Sequence, residues 1–500
     1  MAEHEVVIVG AGPTGLMLAG ELALAGTNVA VVERRADESL VGTRARGLHS
    51  RSVEVLAQRG IAGPFMAQGQ AVPRAMFGGL LLDIGDLPSR HNYVLALEQK
   101  HVERILADWI EDMGVPILRG RDVTGFAQDD SGVDVQLSHG DSMRAGYLVG
   151  CDGGRSRVRK TAGIPFPGWD ATTSSLMAEV AMADEPPWGM RRDALGLHSI
   201  ARLEDTGRVQ VMVTEQRIDA TGEPTVGELR SALVAVYGSD FGIHGPASIS
   251  RFGDTTRQAA AYRDRRVLLA GDAAHVHAPD GGQGLDLGLQ DAVNLGWKLA
   301  QVVRGTSLDS LLDTYHAERH PVGARVLRKT MALVALRRAD DRTAELRDML
   351  ADLLSTDDPR RRFAATLCGL DIRYDLGEGH PLLGLRMPDI DLVTADGPLR
   401  AFDLLHGARP VLIRFGEAGG LDIAGWTDRV RQVDATAPQT WELPSLKPVK
   451  APKALLIRPD GHVAWVGDGA RQGLSEALAT WFGAPSAEAD TDGGASPVRS

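Results

Sequence analysis

The sequence predicts an α/β fold: a parallel-sheet domain opened by a βαβ unit, split by an inserted antiparallel sheet and followed by a smaller α/β domain. Three stretches predict it. The apolar run Glu5–Val9 passes through a glycine-rich turn into helical periodicity over Thr14–Ala25 and a second apolar run at Val29–Val32, the order of a βαβ unit. From about Ser174 to Thr214 the runs SSLMAEVAM and VQVMVT alternate apolar and polar residues between Gly, Pro and Asp, as antiparallel strands do. Beyond Gly384 strand signals restart with PVLIRF (Pro410–Phe415) and ALLIRPDGHVAWVG (Ala454–Gly467), a hairpin turning at Asp460-Gly461. An amphipathic helix over Gly473–Phe482 closes this region. Ahead of it, the buried run Arg266–Gly271 feeds a helical segment at Gly284–Val303, and helical periodicity continues to about Leu354.

Composition narrows the classes. A chain of 500 residues, 43% hydrophobic and 24% charged, fills a large core and more than one domain. A net charge of -12 leaves no broad basic field, which argues against a nucleic-acid partner. The two cysteines, Cys151 and Cys368, are too few for a disulfide framework or a four-thiolate metal site, and they suit a reducing cytoplasm. Val6–Val32 is the one segment apolar enough to suggest a membrane anchor. It carries Glu21, is broken by Gly10, Gly12, Pro13, Gly15 and Gly26, and reads as a buried α/β unit, so no membrane association is expected.

Two motifs carry the chemistry. Gly10-Ala11-Gly12-Pro13-Thr14-Gly15 lies between a strand and a helix, where its glycines let backbone N–H groups approach a pyrophosphate at the positive end of the helix dipole. Glu33 closes the second strand about twenty residues on, where a carboxylate accepts from an adenosine ribose. This much fits NAD or FAD equally. Arg34 and Arg35 hint at a 2′-phosphate, but Glu33 repels one and both arginines read as solvated. The second motif decides for FAD. Leu268–His275 is a strand ending in Gly271-Asp272, whose carboxylate can meet a ribityl hydroxyl. Pro279 and Gly281–Gly284 then open a helix whose free N–H groups suit the negative pyrimidine edge of a reduced flavin. His275 and His277, spaced i, i+2 with no matching carboxylates, read as loop histidines, and no metal site is expected.

Together, GAGPTG with Glu33, RARGLHSRSVEVL (Arg44–Leu56), GCDGGRSRVRK (Gly150–Lys160) and GDAAHVHAPDGGQGLDLGLQDAVNLGWKLA (Gly271–Ala300) resemble the group A flavoprotein monooxygenases of the para-hydroxybenzoate hydroxylase fold. Within them the likeness is to the aromatic polyketide hydroxylase and rifampicin monooxygenase branch. The resemblance implies a Rossmann-type FAD-binding domain over residues 1–75, 98–172 and 266–383, and a substrate-binding sheet domain over 76–97 and 173–265. It further implies a thioredoxin-like domain over 384–485, which without cysteine has no thiol redox chemistry, and a disordered tail over 486–500.

Carried over residue by residue, the resemblance assigns Gly10, Gly12, Pro13, Thr14, Gly15, Glu33 and Arg34 to the ADP half of FAD, with Arg44 and Arg46 over the ribose and pyrophosphate. Gln99 falls near the ribityl chain, and Asp152 and Gly153 between FAD and the nicotinamide cofactor. Gly271 and Asp272 fall on the ribityl hydroxyls, and Pro279, Gly282, Gly284, Leu285 and Asp286 along the flavin's active face. Arg44, Arg46, Pro279 and Gly282 are the residues tied to catalysis, one of the arginines as a gate for a swinging flavin. Asp286 is a departure, because the family often has Asn there. A carboxylate suits the helix dipole but opposes the charge of reduced flavin unless its side chain turns away.

The implied reaction is hydroxylation of an aromatic polyketide or other polycyclic phenol or quinone by NAD(P)H and O2 through a flavin C4a-hydroperoxide. The substrate is expected between flavin and inserted sheet, near Ala194–Ser199 and Val209–Thr214, with Met177, His198 and Met212 as candidate contacts. Only 5% of residues are aromatic, so the pocket is expected to be aliphatic and small-residue rich. Antibiotic inactivation and a non-catalytic flavin or ligand binder, supported by Asp286 alone, stand as alternatives. A halogenase lacks its W-x-W-x-I-P segment here, and a squalene-epoxidase-like enzyme its membrane segment. Monomer and homodimer are left open.

Overall fold

A computed structural model describes residues 4–40, 45–203, 207–218, 222–416, 421, 423–467 and 472–486. Arg44 and, apart from Ser486, the 486–500 tail lie outside the described residues.

The first domain opens with β1 (His4–Val9), α1 (Pro13–Leu24) and β2 (Val29–Glu33), followed by α2 (Ser50–Gln58), α3 (Gln99–Asp112), β3 (Ile117–Arg119) and β4 (Ser142–Gly150). The inserted sheet comprises β5 (Ser174–Ala181), β6 (Gly189–Asp193), β7 (Gly196–Arg202), β8 (Val209–Glu215), α4 (Val226–Tyr237) and β9 (His244–Gly253). The chain then returns to the first domain with β10 (Val267–Leu269), α5 (Gly284–Val303) and α6 (Asp313–Ala335). The last domain carries β11 (Val411–Phe415), β12 (Arg431–Ala435), β13 (Ala454–Ile457), β14 (Val463–Gly467) and α7 (Leu474–Phe482).

Five strands of the first sheet run parallel in the order β3-β2-β1-β4-β10. This is the doubly wound order that places a nucleotide at the strand ends beside the central strand. β1 and β2 are buried through Val6–Val9 and Val29–Val32, as strands covered on both faces must be. The inserted sheet is antiparallel, β6-β7-β8-β5-β9. One face packs Leu176, Ala178, Val180, Val211 and Val213 on Leu229 and Leu233 of α4, and period-2 alternation turns the other face outward.

Residues 76–97 do not join that sheet. The hairpin Arg74–Phe77 with Leu80–Asp83 pairs only with itself, and Val94–Ala96 pairs with Gln70–Val72 and Gly47–Leu48. Phe77, Leu82, Ile84 and Leu87 pack instead on Leu333, Leu336, Leu354 and Leu367, because burial on the long helices outweighs edge pairing with a distant sheet.

The last domain is a mixed sheet, β12-β11-β13-β14, with apolar clusters on both faces. Its β13–β14 turn, Arg458–His462, is buried against α5 and α6. No helix among the described residues is long and apolar enough to cross a membrane.

Candidate active site

The glycine turn after β1 divides its labour by position. Gly10 has φ +106°, and a Cβ there would lie 2.5 Å from the Cys151 carbonyl oxygen; one on Gly15 would lie 2.0 Å from the Gly10 carbonyl oxygen. These two glycines let strand and helix close on each other. A Cβ on Gly12 would meet nothing within 4 Å. The N-terminus of α1, with Pro13 at its head, no side-chain cap and no acid in its first turn, therefore opens onto free space over Gly12. A pyrophosphate fits that cradle in size and charge.

Glu33 braces the same turn. Its Oε2 accepts from the Ala11 N–H at 2.7 Å and its Oε1 from the Arg35 N–H at 2.8 Å and Arg35 Nε at 3.2 Å. Burial works to raise its pKa, but those N–H groups and the guanidinium outweigh it and hold Glu33 below the usual carboxylate range. Oε2, with the Ala11 N–H as its one donor, keeps a second lone pair for a ribose hydroxyl.

Of the two arginines read as solvated, Arg34 is exposed and Arg35 is not. Arg35 also bonds Glu103 at 2.9 Å and the Ala11 carbonyl at 3.1 Å. Gln99 continues this network to Glu103 at 2.7 Å, and its Oε1 accepts from the Ala45 N–H at 3.3 Å. It thereby fixes the chain immediately after the undescribed Arg44. Arg46 is exposed, 3.6 Å from Glu98.

Asp152 is first a helix cap. Its Oδ2 accepts from the N–H groups of Arg157 at 2.6 Å and Val158 at 3.1 Å, while its buried Oδ1 has no partner. Gly153, with φ +79°, supplies the turn. Cys151 and Cys368 are both free thiols.

The second half of the site is the run from β10 into α5. Gly271, at φ +63°, leaves no room for a Cβ: Thr14 Oγ1 would be 2.6 Å from it, and 2.2 Å from one on Gly288. The Thr14 side chain is thus the packing wedge between the two nucleotide-facing loops. Asp272 is exposed and has no hydrogen-bond partner among the described residues, so it is free to meet a ribityl hydroxyl. Its Oδ1 and His277 Nε2 each lie 3.8 Å from the position of a Cβ on Gly284, at the uncapped start of α5. Pro279 leads into a turn in which Gly281 and Gly282 both take positive φ, +75° and +64°. Leu285 is half-buried in the first turn of α5.

Residues that the sequence did not assign to the site, among them His275, read as a loop histidine, hold this run in place. His275 is 1% exposed and is a strut: its Nε2 meets Asp291 Oδ2 at 2.7 Å, which also accepts from the Gly271 N–H at 3.1 Å. Asp291 Oδ1 accepts from Arg319 Nε at 2.7 Å. Burial pushes the Asp291 carboxyl up, and Arg319 and His275 more than reverse it. His49 donates its backbone N–H to Asp286 Oδ1 at 2.8 Å, and its Nε2 donates to the Gly281 carbonyl at 2.8 Å. The Asp286 side chain is therefore buried toward α2. His49 lies inside the RARGLHSRSVEVL segment; its place at the N-cap, four residues before Val53, the first apolar position of α2, was the available signal. No group of three or more His, Cys, Asp or Glu that could hold a metal occurs among the described residues.

On the inserted sheet, Met190, Ser199, Met212, Met177 and Ser250 stand in one register row on the outward face. Met177 and Met212 are thus brought together as expected, but His198 is not with them. Alternation turns it to the α4 face, where it is fully buried, 3.0 Å from Asp193 and edge-on to Tyr237. Arg192 shares the outward face, and its guanidinium lies 2.8 Å from the position of a Cβ on Gly79, at the hairpin tip. The hairpin strand Arg74–Phe77 touches the Asp280–Gly282 turn, so sheet, hairpin and turn enclose one region.

Comparison with known proteins agrees with this geometry. The family described as FAD binding domain matches residues 3–330, and the one described as aromatic-ring hydroxylase, C-terminal, matches residues 380–485. A rifampicin monooxygenase from Streptomyces venezuelae is 42% identical over 491 residues, covering 97% of this chain and 99% of that protein. The solved structure of an anhydrotetracycline hydroxylase from Streptomyces rimosus superposes with a TM-score of 0.89 at 41% identity, covering 97% of this chain and all of that one. A dialkyldecalin synthase from Streptomyces rugosporus is 37% identical over 488 residues, covering 96% and 98%.

Proposed function

The chain belongs to the group A flavoprotein monooxygenases, FAD-dependent aromatic-ring hydroxylases, and from that premise we propose that it hydroxylates a polycyclic phenol or quinone of the aromatic polyketide class. The observation that carries the substrate class is the outward row of Met177, Met212, Ser199 and Ser250, a broad surface of methionine and small polar residues on the sheet face that Arg192 links to the hairpin tip, the hairpin in turn touching the Asp280–Gly282 turn. Thioether side chains adapt to a flat ring system without fixing one outline, and Ser199 offers a hydroxyl to a ring oxygen, that of Ser250 being donated to the Met177 carbonyl at 3.2 Å.

FAD, when bound, supplies the chemistry: it takes a hydride from NAD(P)H and activates O2 for transfer to the ring. The chain's part is to bind, orient and shield. Gly12 and the α1 N-terminus would take the pyrophosphate, with Gly10 and Gly15 closing the turn beneath it, Glu33 the ribose and Asp272 the ribityl hydroxyls. The first turn of α5, through Gly284 and Leu285, presents unpaired N–H groups to negative charge on the cofactor. Pro279, Gly281 and Gly282 form a side-chain-poor wall that lets a ring lie close. The hairpin tip and Arg192 narrow the approach from outside, which keeps water from the oxygen-transfer step. Asp152, with one oxygen committed to capping and the other unpartnered, is the acid assigned to FAD or the nicotinamide in this reading. No acid–base triad is assigned, because an acidic phenol enters already ionised. The thiol-poor chain suits the cytoplasm.

The test is to incubate the purified yellow protein with NADPH, oxygen and a panel of polycyclic phenols and quinones. The expected result is substrate-accelerated NADPH consumption and a product heavier by one oxygen atom. NADPH consumption indifferent to every ring compound would overturn the proposal.

A further inference from the structure

We propose that His49 and Asp286 work as a positioning pair that pins the flavin-facing turn and cancels the Asp286 charge beneath it. The inference rests on the reading that Gly281–Leu285 faces the isoalloxazine.

Three observations carry it. His49 ties three elements at once: it stands at the start of α2, its N–H bonds Asp286 of α5 at 2.8 Å, and its Nε2–H bonds the Gly281 carbonyl at 2.8 Å. The imidazole thus orients the turn through a backbone carbonyl, and Asp286 orients the helix start. Both side chains are enclosed, at 6% and 4% exposure, so charge on either is poorly screened and must be balanced locally. Four polar atoms here, His49 Nδ1, Asp286 Oδ2, Ser52 Oγ and Gln283 Oε1, have no hydrogen-bond partner. The carboxylate therefore has one backbone N–H, with the Ser52 hydroxyl and the imidazole close by, to offset its charge, and no arginine or lysine bonds it among the described residues. Lys329 and Cys368 line the small cavity on the far side of the pair, where Lys329 donates to the Thr366 carbonyl.

The ring and the carboxylate do not touch as an ion pair; enclosed together, they are coupled through space. Burial opposes charge on His49, but the neighbouring Cys368 sulfur and the Asp286 carboxylate outweigh it and lift the imidazole to about 9. Burial lifts Asp286, with His49 opposing it. An Asp at this helix start is thereby made compatible with a reduced, negatively charged cofactor edge, because the counter-charge lies on the protein side.

The test uses the full-length FAD-loaded protein and the variants His49→Gln, Asp286→Asn and the double variant, with FAD dissociation constants and two-electron midpoint potentials as readouts. Gln keeps an N–H donor for Gly281 but carries no charge. His49→Gln is expected to weaken binding of reduced relative to oxidised FAD about tenfold, a fall of about 30 mV for a two-electron couple. Asp286→Asn alone is expected to shift the potential the other way, and the double variant to return close to the parent. An unchanged potential in either single variant, shifts of the same sign in the two, or a double variant that stays displaced from the parent overturns the pairing. If His49→Gln does not load FAD, the sign of the Asp286→Asn shift decides. A parent protein that takes up no FAD sinks the underlying placement instead, and that failure is seen before any variant is made.

Discussion

The two ends of α5 bury polar groups in opposite ways. At the N-terminal end Asp286 and His49 leave acceptor and ring-nitrogen positions unpartnered. About three turns along, roughly 18 Å at 1.5 Å per residue, Lys298 and Asn294 enter a cluster in which each charged group is paired. Arg458 holds Glu318 through two bonds, at 2.6 and 2.8 Å, and Asp460 at 3.1 Å through Nε. Lys298 reaches Glu318 at 2.8 Å and Asn294 at 2.9 Å. Arg458 also lies over Trp481, its guanidinium carbon 4.4 Å from the ring centroid. The difference separates two jobs. The far end joins the C-terminal domain to the first domain, and a joint between preformed surfaces gains from complete pairing. The near end must present open N–H groups to a bound molecule, so its polar groups cannot all be satisfied from within the chain.

The sharpest way to break this contrast is at the joint. Arg458→Met removes the bidentate partner of Glu318, leaving it Lys298 and Asn294, and leaves buried Asp460 with no cation bonded to it among the described residues, at a cost of about 3–5 kcal/mol. The expected readouts are a lower urea midpoint and earlier proteolysis of the C-terminal domain. If FAD affinity falls as far as stability does, the two ends of α5 are not separate jobs. The same joint should give an acid signature. Burial raises the Glu318 carboxyl, but Arg458 and Lys298 outweigh it and hold it at about 2, against 4.5 when unpaired. Because the folded pKa is depressed, this stabilisation is complete above about 4.5 and is lost as pH falls toward about 2. Denaturant titrations across that window should steepen for the parent relative to Glu318→Gln.

A smaller pair of effects sharpens the contrast within the first glycine turn. Gly15→Ala drives a Cβ to 2.0 Å from a backbone oxygen, and overpacking of that kind costs about 1–3 kcal/mol of stability. Gly12→Val meets no protein atom at its Cβ, so the apoprotein should unfold as the parent does. FAD affinity should nevertheless fall about 100-fold, near 2.7 kcal/mol, as read by fluorescence titration. Equal effects of the two substitutions on unfolding would mean that Gly12 is a packing residue too.

What the sequence made legible follows the range of the forces involved. The βαβ opening, the strand Val411–Phe415, the Asp460-Gly461 hairpin and the helix Gly284–Val303 all emerge where periodicity and turn residues put them, because those signals are local. The reading failed where a contact depends on distant elements. The 76–97 hairpin was drawn to helices far along the chain, and a window of sequence carries no record of them. His198 fell on the wrong face because the register of β7, and not its composition, decides which side is inward. Arg35 looked solvated because its partner Glu103 lies 68 residues on. His49, Asp291 and Arg319 escaped for the same reason: each acts across the fold to hold a motif residue, and although His49 and Asp291 lie inside motif segments, no spacing within those segments marks them.

The finest probe of the contrast is Asp272. Glu33 has both oxygens engaged by the protein, Asp152 has one, and Asp272 has none among the described residues. A carboxylate that does no structural work in the protein can be removed without destabilising it. Asp272→Ala should therefore leave the apoprotein's unfolding midpoint unchanged and weaken FAD about tenfold, near 1.4 kcal/mol, the worth of a charge-assisted bond to a hydroxyl. Glu33→Gln, by comparison, should lose stability as well as FAD, because the turn at Ala11 and the Arg35 guanidinium both lean on its charge. The ratio of the two losses, stability against affinity, measures how far each acid belongs to the fold or to the ligand. A lower apoprotein midpoint for Asp272→Ala would place that side chain with the joint residues and not with the open end of α5.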